Sequence, residues 1–247
     1  MGKVIVLPET TKDPISLIGR RAGICWGADI TNEEKNYKRG LDCLESNHGR
    51  TLEFVNIETV LDGYSARVIR EWYTHIGGAP TRLQASTRYI DYKDFDYIIP
   101  PRIDEDSEKR ISYENSMWNI SQNLQKLELL GAPKEDIANL LPLGMETKIV
   151  LRTNLRHLID MSHQRLCSRA YWEFRQLMID LMKALREYSE EWAAIVDEFF
   201  KPKCEVCGFC EEKDTCHRKP TKERIKQLIE LGLKYEEMIK THTDDSK

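Results

Sequence analysis

Nowhere in this chain of 247 residues do apolar residues run on for the roughly 18 positions that a membrane-crossing helix needs, so no span is expected. The first residues, MGKVIVLPETTKD, lack the apolar length and small-residue cleavage site of a secretion signal, and they carry no myristoylation signal. The expectation is a cytoplasmic protein. Basic charge is not in excess: 37 Lys and Arg stand against 41 Asp and Glu, a net charge of -4. That balance disfavours a general nucleic-acid binder, although the basic residues can still cluster locally. Internal repeats and long low-complexity segments are missing too. With 32% charged and 9% aromatic residues, the chain is neither disordered nor fibrous. Its seven cysteines are an odd number without a secretory context, which argues against a disulfide framework.

The length suits one large domain, or a domain with an appendage. Val4 to Leu7 reads as a first strand stopped by Pro8. Helical spacing predicts helices over Ile15 to Cys25, Asn32 to Ser46 and Ala66 to His75. Phe54 to Leu61 alternates like a strand. Gly77, Gly78 and Pro80 then break regular structure, and TRLQASTRYIDYKDFDYIIPP reads as a loop leading into an aromatic-rich extended stretch. A helix is predicted over 110–130, with Met117, Ile120, Leu124, Leu127 and Leu130 on one face, and a short helix over Pro133 to Leu141. Thr147 to Leu151 is a strand or the start of a helix, and Asn154 to Met161 is helical. Leu166 to Phe200 is the longest helical pattern, striped by Phe174, Leu177, Leu181, Leu185 and Trp192. A Cys-rich segment without period follows over 203–220, then a final helix from Lys222 to Lys240. The predicted class is α+β: a helix-rich domain over 1–202 with a small antiparallel or mixed sheet, and a Cys-rich appendage over 203–247.

Two stretches concentrate chemistry. Glu71 to Tyr89, EWYTHIGGAPTRLQASTRY, gathers His75, Arg82, Gln84, Ser86, Thr87 and Arg88 around glycines and a proline. Glycines let backbone approach a ligand, and arginine offers a planar fork for phosphate. The segment reads equally as an anion site or as a solvated loop. In RTNLRHLIDMSHQRLCSRAYWEFR, Arg152 and Arg156 are four apart, as are Arg165 and Arg169. On a helix each pair would share a face and repel by about 0.2–0.5 kcal/mol. An anion would offset that cost, as would ion pairs with Asp160, Glu173 or another helix.

STRY at 86–89, with the aromatic run that ends in IIPP, resembles the second half of the RHRxxSxNxxSxR signature of flavin-dependent thymidylate synthases. NLRHLIDMSHQRLCSRAYWEFR is similar to that family's C-terminal block. LLPL at Leu140 to Leu143 is similar to its LP element, and HGRTLEF at 48–54 to its early block. The matches run in family order from about Ala22 to Arg175. The resemblance implies an enzyme that turns dUMP into dTMP with methylenetetrahydrofolate as carbon donor, FAD as cofactor and NADPH as reductant. It also implies that no cysteine attacks the uracil ring, and a homotetramer whose sites are shared between subunits, with small molecules rather than nucleic acid or membrane as partners. Carried over, Ser86 and Arg88 hold the dUMP phosphate with Gln84 beside them, and Arg165 contacts the uracil. His75 stands by the flavin, Asn154 and Arg156 contact FAD, and His48 and Glu53 belong near it. The chain departs from the pattern at Thr74, Gln84 and Ala138, at Glu53–Phe54, and in two extra residues between His75 and Ser86. Arg82 is assigned to the flavin as the cation that replaces the lost one.

Cys204, Cys207, Cys210 and Cys216 have C-x2-C-x2-C-x5-C spacing and lie outside the resemblance. That spacing admits a structural zinc, free or redox-active thiols, or an iron–sulfur cluster. Two other functions remain open on the residues alone: a nucleic-acid binder with a C-terminal zinc knuckle, and a flavin-binding relative that lacks methyl transfer.

Overall fold

The structure is a computed structural model describing residues 2–77 and 80–244; Met1, Gly78, Ala79 and the tail at 245–247 lie outside the described residues. Four strands, β1 (Lys3–Val6), β2 (Asn56–Ser65), β3 (Thr81–Gln84) and β4 (Glu146–Asn154), form one antiparallel sheet in the order β1-β2-β4-β3. Period-two alternation sets its inner face. Ile57, Thr59 and Leu61 of β2 and Thr147, Ile149, Leu151 and Thr153 of β4 are all buried. Ile57 pairs with Thr153, and Leu61 with Ile149.

The expected strand Phe54 to Leu61 is displaced. A helical turn, α3 (Gly49–Leu52), holds the chain, and Val55 N–H donates to the Leu52 carbonyl, so Phe54 stays 57% exposed. β2 then runs on to Ser65 because β4 supplies partners that far, with a register shift at Gly63, whose φ is 71°. The stretch expected to be a loop contains β3, which pairs Thr81 with Arg152 and Gln84 with Ile149. As a short, mostly exposed edge strand it has no apolar alternation to betray it.

Helices cover the inner face. α1 (Pro14–Cys25) and α2 (Glu33–Glu45) cross closely at two glycines. A Cβ on Gly19 would lie 1.8 Å from the Asn36 carbonyl oxygen, and one on Gly40 would lie 2.0 Å from that of Ile15. α4 (Ala66–Trp72), α8 (Leu155–Arg165), α9 (Trp172–Tyr188) and α10 (Glu190–Phe199) complete the main core around Trp72, Phe174 and Trp192. The single long helix expected over Leu166 to Phe200 is two. The chain turns through 166–171, and Ser189 is extended and accepts from Trp192 N–H as the cap of α10. The predicted stripe survives the break, since Phe174, Leu177, Leu181, Leu185 and Trp192 are all buried.

A second, smaller core joins Phe95, Met117, Leu124, Ile137 and Met145 beneath α6 (Ser107–Leu129), with α5 (Pro101–Asp104) before it and α7 (Lys134–Ile137) after it. The aromatic stretch makes no named strand. Phe95 is buried, Tyr97 forms an isolated bridge with Met145, and Tyr89 is exposed. Leu130 falls outside the helix and is exposed. Beyond α10 come α11 (Lys203–Cys207) and α12 (Lys222–Asp244). The helix-rich α+β class is as expected. No helix among the described residues is long and apolar enough to cross a membrane.

Candidate active site

α4 ends at Trp72, and a tight turn carries the chain to His75, whose N–H donates to the Trp72 carbonyl. That turn drives the His75 ring into the body, where it is buried with its edge toward the Phe174 ring. The C-terminal turn of α8 delivers Arg165 to the same spot. Its Nε donates to His75 Nε2 at 2.8 Å, its Nη1 lies 3.3 Å from the Glu71 carboxylate, and its guanidinium sits 4.4 Å from the centre of the Phe174 ring. Accepting at Nε2 requires a neutral His75 with its proton on Nδ1. Burial, with the charges of Arg165, His157 and Arg82, holds its pKa down at about 4. Arg165 is thus fixed by a lone pair, a carboxylate and an aromatic face, and among the described residues its Nη2 has no hydrogen-bond partner.

His157 braces the turn from below. Its Nε2 is 3.2 Å from the His75 carbonyl oxygen, so Nε2 donates and Nδ1 carries the lone pair. A Cβ on Gly77 would lie 2.5 Å from that Nδ1, so glycine is what lets the loop pass. His157 N–H donates to Asn154 Oδ1 at 2.9 Å, which makes Asn154 the N-cap of α8. Glu173 is buried and accepts from Ser65 N–H at 2.7 Å and Ser65 Oγ at 2.6 Å, securing the start of α4.

The remaining expected residues form two other groups. Arg156 pairs with Glu53 at 2.6 Å, beside His48, which starts α3. A Cβ on Gly49 would meet Arg156 Nε at 3.0 Å. Ser86 Oγ accepts from Arg88 N–H at 3.2 Å, and Arg88 Nε pairs with Glu135 at 3.0 Å in an open position, 64% exposed. Between the groups, Arg82 lies over the Tyr73 ring at 4.3 Å and donates to the Trp72 carbonyl, while Gln84 reaches Thr147 Oγ1 at 3.4 Å.

The arginine pairs are a correction. Arg152 lies on β4 and Arg156 on α8, while Arg169 follows the end of α8 and faces Asp214 at 3.8 Å. Neither pair shares a helix face, because strand–helix and helix–turn junctions fall between the members. Sequence reasoning gave no site role to Glu71 or His157 and named Glu173 only as an ion-pair partner for the arginines. Glu71 alone had a signal, standing four residues before His75.

Cys204, Cys207, Cys210 and Cys216 line one cavity together with Cys167. Among the described residues, no three His, Cys, Asp or Glu side chains stand ready-made as a ligand set. Cys43 is buried and its thiol is pushed up by burial and by Asp42, the opposite of an activated nucleophile.

A family model described as thymidylate synthase complementing protein matches residues 6–189. The chain is similar to the flavin-dependent thymidylate synthase of Nitratidesulfovibrio vulgaris, with 27% identity covering 87% of this chain and 94% of that protein. The enzyme of the same name from Clostridium tetani is 27% identical over 86% of this chain and 92% of its own length. That of Pyrococcus horikoshii is 29% identical over 76% and 79%.

Proposed function

This chain belongs to the thymidylate synthase complementing protein family, and from that premise we propose that it is a flavin-dependent thymidylate synthase. It converts dUMP to dTMP with methylenetetrahydrofolate as one-carbon donor and NADPH as reductant. Residues 1–202 are the catalytic unit and 203–247 an appendage. The observation that carries the reading is Arg165, a guanidinium immobilised by His75, Glu71 and Phe174 with donor capacity left over.

The flavin fits the donor set. His48, Arg82 and Arg156 supply cations and donors, and the glycine-lined turn at Gly77 and the approach of Gly49 to Arg156 keep backbone close to them. Those residues, with His75 and Asn154, would hold FAD. When bound, FAD would supply the hydride-transfer chemistry, with NADPH as the reductant. Asn154 Oδ1 also caps α8, which orients Arg156 and His157.

The substrate is held at two ends. Ser86 and Arg88 take the phosphate, with Gln84 beside them. Arg88 can leave Glu135 at little cost, because an exposed pair contributes only about 0–1 kcal/mol. Arg165 donates to a pyrimidine carbonyl oxygen. Negative charge gathers there as the ring carbon gives up its proton, and a donor already in position stabilises it without reorganising. Neutral His75 adds no competing positive charge and keeps the Arg165 fork aimed. Protons leave the ring to solvent or to bound substrate groups, with no thiolate needed. Ile76, Leu83 and Tyr89 are each more than 70% exposed on the segment between the two ends. Apolar side chains so placed support a homotetramer in which a second subunit completes each site.

An absorption spectrum of the purified protein, followed by anaerobic dUMP titration, tests this. Oxidised-flavin bands perturbed by dUMP, together with dTMP formation, are expected. A colourless protein that takes up no FAD would overturn the reading. Flavin binding without turnover would make the chain a nucleotide-binding relative.

A further inference from the structure

None of the seven cysteines has a part in that reaction, yet the fold gathers five of them. Cys167 lies in the turn after α8, and Cys204, Cys207, Cys210 and Cys216 come from the segment after α10. All five line one cavity of about 60 Å3. The gathering is built. Cys204 and Cys207, three apart on α11, share a face. Gly208, at φ 81°, then reverses the chain in a conformation that side chains resist, and its N–H donates to the Cys204 carbonyl. The reversal returns Cys210 to the cavity, where it is buried. There its N–H donates to the Pro220 carbonyl at 2.8 Å.

Apolar packing does not account for this set, because Cys207 and Cys216 are exposed and Cys204 is half-buried. The basic residues Arg169 and Lys203 also line the cavity. Both already face carboxylates, Arg169 with Asp214 and Lys203 with Glu211, and Glu211 and Glu212 line the cavity too, so it is the gathered sulfurs that point to a metal. Soft, four-fold sulfur ligation is what zinc takes in structural sites.

We propose that Cys167, Cys204, Cys207 and Cys210 bind a structural zinc ion, the body supplying one ligand and the C-terminal segment three. Each thiol releases its proton to solvent as its sulfur bonds to the metal at about 2.3 Å. The sulfurs close in by rotating about their side-chain bonds, since they do not yet stand as a ligand set. Cys216, the fifth thiol lining the cavity, is exposed and is left out of the set. The ion ties the segment to the turn two residues beyond Arg165.

The test is metal analysis of the full-length protein purified without chelator, with cobalt substitution to read sulfur-to-metal charge transfer. About one zinc per chain is expected. It should fall to a trace in Cys167→Ser and Cys204→Ser, and persist in Cys216→Ser and Cys25→Ser. The cobalt spectrum of the wild type should carry the intense near-ultraviolet band of thiolate ligation. Because Cys204→Ser could disturb folding, its helical circular dichroism is compared with that of Cys25→Ser. Zinc retained in Cys167→Ser but lost in Cys216→Ser would overturn the role of Cys167. A metal-free wild type with every thiol titratable, or one containing iron, would overturn the zinc site altogether.

Discussion

Arg165 and Arg88 are assigned to one substrate, but the molecule treats them in opposite ways. Arg165 is 20% exposed and held on three sides, by His75, Glu71 and Phe174. Arg88 is 64% exposed and holds one surface carboxylate, Glu135. The first is organised before any ligand arrives, which is what stabilising developing charge requires. The second is free to exchange partners, which is what capturing a mobile phosphate requires. In this protein rigidity sits where charge develops and freedom where the substrate is caught.

The harshest way to break the contrast is Arg165→Ala. Turnover should fall about 10²–10³-fold, as for loss of one preorganised donor, with a smaller change in dUMP affinity. Equal losses in turnover and affinity, measured by steady-state kinetics, would deny the rigid end its special part. Next comes pH. His75 is held neutral with a pKa of about 4 in the fold, against 6.5 when unfolded. The unfolded chain therefore binds the extra proton first, and stability should decline as pH falls from about 6.5 to 4. The loss reaches about 3 kcal/mol from this group, with His157, also lowered by burial, acting the same way. Denaturant midpoints across that range check it, and His75→Gln should flatten the curve.

At the mobile end, Arg88→Ala should raise the KM for dUMP about 10- to 100-fold with kcat little changed, the loss of one charged hydrogen bond. Urea melts should show its stability within about 0.5 kcal/mol of wild type. Asn154→Ala removes the α8 cap and should lower stability by about 1 kcal/mol. The smallest effect is expected of Glu53→Gln, which costs at most about 1 kcal/mol because the pair with Arg156 is half-exposed.

Much of this was readable in advance. Elements that own their hydrophobic pattern, such as α1, α2, α6 and the Phe174–Leu185 stripe, follow local periodicity, and burial agrees with it. β3 escaped because an exposed edge strand is specified by its neighbour, β4. The break at Ser189 escaped because one serine can cap a new helix without disturbing the apolar stripe on either side. At the site, the residue types of His75 and Arg165 stood out, but their mutual contact did not. They are 90 positions apart, and no local rule joins them. The roles of Glu71, His157 and Glu173 were missed for the same reason: they depend on burial and on distant partners.

By itself, then, the sequence determined the helix-rich class, the order of the family's blocks and the kinds of side chain available for anion and flavin binding, because these follow from local pattern and composition. Only the tertiary structure decided that His75 is neutral, that Arg165 is immobile while Arg88 is not, and that Cys167 joins the C-terminal cysteines. Each of those depends on which distant groups burial forces together, and electrostatics and hydrogen bonding act through that proximity, not through position in the chain.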